Sequence, residues 1–403
     1  MSRAHRWINR TILGIGLASF FSDLSHETVT SLLPAWLATC GGAAAMLGTV
    51  EGVADGFSML AKLYGGWLAD RLQRRKPLCA SGYAVMGLSP LIIAAAANPF
   101  LILLGRTMAW VSRGLRTPAR KALLAAAVEP EFYGRAFGLE RALDTTGAIL
   151  APLLALVLLS AGFVHRQVIL FSIIPGLLAA VCIMVFVSED QKRVPVQHGL
   201  FSSMTSLPRP LYRFLLGVGI FGLGDFADTF YILYAVTKLT PQVGANEAAR
   251  MSVVLYAIHN VAYALLSYGG GWLSDYVNRR VLLLTGYLCA AAASLAMACQ
   301  ISGIPSLVVL FALGGAAVGI YEAVEDAIVA DLVPDSQRGN AYGALAVTTG
   351  TGDLLSSVSV GALWASFGAG IAFASAAVVM LTGILLVAFA ALRESKTMPI
   401  EGS

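Results

Sequence analysis

Charge is scarce in this chain: Asp, Glu, Lys and Arg make up 12% of its 403 residues, against 57% apolar ones. A soluble domain carries about 25% charge, so an ordinary water-soluble enzyme is excluded. Disordered chains and nucleic-acid binders, which depend on charge, are excluded with it, and no nucleic-acid partner is expected. Cysteine is sparse as well. Cys40, Cys79, Cys182, Cys289 and Cys299 stand singly in apolar stretches, which makes neither a disulfide framework nor a metal motif. There is no Walker loop, so ATP bound to this chain does not drive it, and no GxSxG or HExxH constellation offers catalysis. No enzymatic activity is expected.

What the chain does have is apolar length. A bilayer core needs about 20 apolar residues per helix, and twelve stretches qualify: 11–38, 45–69, 78–97, 100–123, 134–160, 166–187, 213–238, 249–272, 280–301, 304–330, 340–366 and 368–392. Strict alternation, the mark of barrel strands, is rare. The 41 glycines suit closely packed membrane helices. Arg3, Arg6 and Arg10 precede the first run in the manner of a signal peptide. The run continues through Asp23 and Glu27 to Trp36 without a suitable cleavage site, so an uncleaved first span is expected. The polar stretch 188–210 divides the chain into a bundle over 1–187, a cytoplasmic linker and a bundle over 211–403. Lys and Arg set the orientation. Of the 27, twenty fall on the side of the N-terminal tail, three (Arg166, Lys238, Arg250) on the other, and Lys62, Arg106, Arg113 and Arg141 within spans. Both termini are therefore expected in the cytoplasm, with the lipid bilayer as the chain's surroundings.

The two halves are copies. Gly66-Trp67-Leu68-Ala69-Asp70-Arg71 returns as Gly271-Trp272-Leu273-Ser274-Asp275-Tyr276, an offset of 205. The same offset carries Gly134-Arg135-Ala136-Phe137-Gly138 onto Gly339-Asn340-Ala341-Tyr342-Gly343, Asp23 onto Asp228 and Asp55 onto Asn260. Two similar bundles around a midplane site are the architecture of a rocking transporter.

Charges inside the spans carry the functional signal, because each costs about 2.5–3.5 kcal/mol on insertion scales. Asp23, His26 and Glu27 share one helical face by their spacing, and Glu51 and Asp55 share a face of the next span. Two antiparallel helices are expected to bring these groups together, where crowded carboxylates take up a proton or a cation. Proton coupling is accordingly assigned to Asp23, Glu27, Glu51, Asp55 and Asp144. Substrate binding is assigned to Asp23, His26, Glu27, Arg113, Asp228, His259 and Glu322. A metal ion, if carried, is assigned to Asp23, His26, Glu27 and Asp228. Against these stands an internal network with Lys62, Arg113 or Arg141, including an i, i+3 pairing of Arg141 with Asp144. The offset takes Arg116 to Tyr321 and Arg120 to Glu325. Arg116 and Arg120 are thus expected to meet Glu325 and Asp326 when the cytoplasmic side closes.

The stretch Gly66-Trp67-Leu68-Ala69-Asp70-Arg71-Leu72-Gln73-Arg74-Arg75-Lys76 resembles the loop signature between spans two and three of the major facilitator superfamily, with Gln73 where that pattern has glycine. Asp275, Arg279 and Arg280 resemble its second-half echo. Ser22 to Glu27, Arg113 to Arg120 and Gly134 to Asp144 resemble a largely uncharacterised prokaryotic branch. Gly147-Ala148-Ile149-Leu150-Ala151-Pro152 is similar to the span-five motif of proton-coupled antiporters, with Ala151 replacing a glycine. The resemblance implies an all-α fold of twelve transmembrane helices in two pseudo-symmetric six-helix bundles. It also implies a monomer of the bacterial inner membrane, without a cofactor, that works by alternating access on a proton gradient. Asp70, Arg71, Arg74, Arg75, Arg116, Arg120, Asp275, Arg279, Glu325 and Asp326 become the gating residues. Export of a small molecule is the expected activity. A divalent metal or metal chelate as cargo, and symport of an anionic solute through Arg113, remain open beside it.

Overall fold

The computed structural model describes residues 7–39, 44–72, 74–189 and 206–395. Most of the linker, Gln73 and the side chain of Glu51 lie outside the described residues. Among the described residues the secondary structure is helical, with no strand. The first half consists of α1 (Arg10–Thr39), α2 (Ala44–Arg71), α3 (Lys76–Ala94), α4 (Pro99–Ala126), α5 (Tyr133–Ser160) and a sixth span split at Ser172 into α6 (His165–Phe171) and α7 (Ile173–Phe186). The second half runs through α8 (Arg209–Gly222), α9 (Thr229–Val243), α10 (Ala245–Leu273), α11 (Arg279–Ala298), α12 (Ile304–Leu332), α13 (Arg338–Phe367) and α14 (Ala369–Ser395). These helices coincide with the twelve expected spans to within a few residues. The repeat extends to detail: a 3-10 turn at Pro130–Phe132 leads into α5, and one at Asp335–Gln337, 205 residues on, leads into α13.

Seven of the described helical segments are long and apolar enough to cross a membrane on those grounds alone. The rest fall short for reasons visible in their residues. α1, α2 and α4 carry the acids and arginines of interest, α13 is rich in Thr, Ser and Gly, and span seven is interrupted. That interruption departs from the single helix expected over 213–238. α8 winds down through Leu223 N–H to Gly219 O and Gly224 N–H to Phe221 O, and α9 begins only at Thr229. Gly222 and Gly224 supply the weak helix propensity. The equivalent stretch of the first half, Leu17 to Asp23, has no glycine and stays helical within α1.

Packing divides the chain into two compact units. One comprises residues 1–207 together with 329–347; the other comprises 208–328 and 348–403. In the first, α1 lies on α5 and α7, and α4 lies on α2 and α3. Glycine permits the close approaches: a Cβ on Gly147 would strike the Phe20 carbonyl of α1, and one on Gly114 would come within 2.5 Å of the Ser58 carbonyl of α2. In the second, α14 packs on α8 and α11, and α9 on α10.

Candidate functional site

The acids of α1 are met by α4 and α5. Arg113 of α4 donates two hydrogen bonds to Asp23, Nη1 to Oδ1 at 2.7 Å and Nη2 to Oδ2 at 3.2 Å. This is the two-pronged geometry a planar guanidinium gives a carboxylate. The same guanidinium lies 3.8 Å from Asp144 of α5. Asp144 also faces Arg120 at 3.7 Å and Arg141 at 3.6 Å, so its pairing with Arg141 is one of three. Arg120 holds Glu140 at 2.5 Å and also donates to Ser19, whose hydroxyl donates to Glu140 at 2.6 Å. Asp23, Glu140 and Asp144 are all buried. Glu27 is one-third exposed beside His26 at 4.0 Å, and Asp55 is exposed on α2. The expected meeting of α1 and α2 acids is thus replaced, for Asp23, by an arginine-bridged network across α1, α4 and α5.

His26 enters this network from the side. Arg106 Nη1 lies 3.2 Å from its Nε2. A guanidinium has only donors, so Nε2 is the acceptor and the ring proton sits on Nδ1. Trp110 joins the two parts: its ring packs edge-on to His26 at 4.8 Å, with Arg106 and Arg113 both over it at 5.5 and 5.6 Å. With Nε2 turned to a cation, His26 is poorly placed as a metal ligand. Among the described residues no group of three or more His, Cys, Asp or Glu is arranged to hold a metal ion. The fourth expected metal ligand, Asp228, belongs to the other unit. Arg113, expected to grip an anionic substrate, is taken by Asp23.

Arg116 and Arg120, expected to meet Glu325 and Asp326 when the cytoplasmic side closes, have partners inside the first unit. Arg116 donates to Ser22 at 2.7 Å and lies flat on the Tyr83 ring at 3.7 Å. Arg120 is held by Glu140. Glu325 accepts from Tyr287 at 2.5 Å. Each of these contacts is within its own unit. A carboxylate on α5 and an aromatic face on α3 thus give these buried guanidiniums their partners.

The loop signature forms a clasp. Asp70 accepts from Arg75 Nη2 at 2.7 Å, from the Gly339 and Asn340 main-chain N–H groups at 2.8 and 2.7 Å, and from Asn340 Nδ2 at 2.8 Å. It therefore caps the N-terminus of α13, where helix N–H groups lack partners and the dipole favours an anion. Arg75, fully buried, also reaches the Asp335 carboxylate at 3.2 Å and its carbonyl at 2.7 Å. Gly66 and Gly339 make room: a side chain on either would collide with the other's backbone. Arg71 and Arg74 are exposed, Arg71 over the Trp67 ring. In the second unit the echo includes an i, i+4 pair, Asp275 with Arg279 at 3.1 Å.

The second unit holds a different site. Asp225 and Asp228 sit on the break in span seven. Tyr321 donates to Asp225 at 2.7 Å, Tyr263 donates to Glu322, and His259 Nε2 lies 3.5 Å from Asp228. Asp225, Glu140 and Arg106 were not among the assigned site residues. Asp225 was readable from its flanking glycine and its i, i+3 spacing to Asp228. Glu140 and Arg106 had no signal beyond being charges in a span.

The sequence pattern of the Major Facilitator Superfamily matches residues 15–258 and 216–402. An uncharacterized MFS-type transporter of Methanocaldococcus jannaschii is 30% identical over 360 residues, 89% of each chain. The quinolone resistance protein NorA of Staphylococcus aureus is 24% identical over 58% of this chain and 60% of its own. Among solved structures, the Escherichia coli fucose:proton symporter FucP has a TM-score of 0.76 at 17% identity, covering 94% of this chain and 98% of that one. The human organic anion transporter MFSD10 has 0.74 at 16%, covering 94% and 99%.

Proposed function

On the premise that this chain belongs to the Major Facilitator Superfamily, we propose that it is a proton-coupled exporter of a small molecule, with Asp23 and Arg113 as the proton-sensitive latch. Membership makes it a multi-pass membrane transporter of small molecules and not an enzyme. Members draw on ion gradients and need no cofactor. The finer reading rests on one observation: a buried carboxylate on α1 held two-pronged by an arginine of α4, with a second carboxylate, Asp144, 3.8 Å from the same guanidinium.

Protonating Asp23 removes the charge that Arg113 grips. Arg113 then still has Asp144 3.8 Å away and Glu27 within electrostatic reach, so the cation is not left alone in the low-dielectric interior. What loosens is the bond between α1 and α4. Proton binding therefore changes the relative energies of two packings, which is what a ligand must do to shift a conformational equilibrium. Release of the Asp70 clasp accompanies opening toward the cytoplasm, with both termini on that side of the inner membrane. The antiporter-like stretch Gly147 to Pro152 and the quinolone resistance in NorA's name favour export, and the proton in the name of the fucose:proton symporter FucP favours the coupling ion.

The test needs no substrate. Spin labels at Glu129 and Asn278, both exposed turn residues, report the distance between the two units in the full-length protein. Acidification is expected to change the ratio of distance populations at least tenfold, about 1.4 kcal/mol. Asp23→Asn is expected to hold the acid-like distribution at every pH. A pH response that survives Asp23→Asn would refute the latch.

A further inference from the structure

We propose that the break in span seven builds a binding site for an organic cation in the second unit, formed by Asp225, Asp228, Glu322 and His259. The proposal rests on the transporter reading above and names the substrate class.

Three observations converge. The first is the charge inventory of the spans. The second-half spans contain Asp225, Asp228, Glu322, Glu325, Asp326 and Asp353, and between Arg213 and Arg279 the basic residues are Lys238 and Arg250 alone, with none from 281 to 337 or from 339 to 392. Lys238 lies ten residues beyond Asp228, about 15 Å along α9, and is engaged by Gln300 and the Tyr234 ring. Among the described residues no arginine bridges Asp225 or Asp228 as Arg113 bridges Asp23 and Asp144. Asp225 and Asp228 have Tyr321 and His259 as their polar neighbours, and with Glu322 they lie within electrostatic reach of one another.

The second is backbone placement. Discontinuous membrane helices put carbonyls and a half-helix C-terminus at the midplane, where they favour positive charge. α8 ends at Gly222 and α9 begins at Thr229, so opposite dipole ends flank the segment, and its two aspartates make the balance there negative.

The third is an orphan. His259 is fully buried, and neither ring nitrogen has a hydrogen-bond partner. Its Nε2 is 3.5 Å from Asp228, near it but not aligned as a hydrogen bond. A buried polar group without a partner points to something that binds there.

The surroundings decide which cation. A metal ion needs several donors converging at 2.0–2.6 Å, and no such grouping exists among the described residues. Aromatic faces are abundant instead. His259 lies between Tyr231 at 5.5 Å and Tyr256 at 5.6 Å, and Tyr321 packs against Phe221 and Tyr287. Gly314 and Gly315 of α12 admit the Tyr231 ring and the His259 backbone, which any side chain there would displace. Carboxylates with tyrosine faces suit an ammonium or phosphonium group through ion pairing and cation–π attraction.

The experiment uses the purified full-length protein and tritiated tetraphenylphosphonium in a scintillation proximity assay, with tetraethylammonium and benzenesulfonate as competitors. Saturable binding is expected, displaced by tetraethylammonium and not by benzenesulfonate, an aromatic anion that does not precipitate the probe. Asp225→Asn and Asp228→Asn are each expected to weaken binding at least tenfold. No saturable cation binding, equal displacement by the anion, or full affinity in the Asp225→Asn, Asp228→Asn double variant would overturn the proposal. The competitor comparison needs only the unmodified protein, so a variant that misfolds does not shield the claim. Loss of cation binding alongside an intact Asp23-dependent distance change would refute this site and leave the latch standing. The reverse pattern would refute the latch and keep the site.

Discussion

Asp70→Ala is expected to free the first turn of α13. Four acceptor contacts vanish together, three of them to Gly339 and Asn340 and one to Arg75. Hydrogen bonds to a charged group contribute a net of roughly 1.5–3 kcal/mol each and do not simply add. Breaking one side of a buried ion pair costs about 3–5 kcal/mol because the partner stays behind. Arg75 keeps Asp335, which argues for the lower end. A local loss of about 3 kcal/mol corresponds to a change of about a hundredfold in opening. Hydrogen exchange of the peptide covering 338–342 should accelerate by that order, while α3 and α11 stay as protected as before. Asp70→Asn should recover part of the effect, since its amide oxygen still accepts one N–H while its NH2 group faces donors. Unchanged exchange at 338–342 in Asp70→Ala would mean that Asp70 does not hold this helix end.

Arg120→Ala is the second large effect. It leaves Glu140 and Asp144 buried, with Glu140 stripped of its guanidinium at 2.5 Å and Ser19 as its remaining hydrogen-bond donor. The expected cost is about 3–5 kcal/mol of stability, read as a lowered denaturation midpoint of the purified protein in a fixed detergent. The double variant Arg120→Met, Glu140→Leu removes both charges and keeps the volume. It should recover most of the loss, as replacing a buried pair by apolar groups often does. A single variant as stable as the parent would show that water or another cation replaces Arg120.

Much of the fold was legible because a bilayer leaves few choices. An apolar run of about 20 residues bounded by Arg-Arg or Asn-Pro can do little but span, and a 205-residue offset shared by several segments needs no structure to be seen. Partner choice was harder. Arg116, Arg120, Glu325 and Asp326 were visible as charges in spans, and their mirrored positions suggested pairing across the bundles. The contacts are decided by side-chain reach and neighbouring helix faces, so Arg120 takes Glu140 on α5 and Arg116 takes the Tyr83 ring on α3. Asp70 was readable as a helix end, but its partners are main-chain N–H groups, which no side-chain pattern records. The interruption at Gly222–Asp228 was written in two glycines and two aspartates, yet the surrounding apolar run reads as one span. Hydropathy averages over the few residues where the backbone departs from a helix.

The central claim is that Asp23 takes up the proton and releases Arg113. Infrared difference spectroscopy of the purified protein on acidification reads carboxyl protonation itself. The account predicts a protonated-carboxyl band that is missing in Asp23→Asn and whose pH midpoint moves in Arg113→Lys, where the two-pronged grip is lost. A difference spectrum that Asp23→Asn leaves unaltered would contradict it.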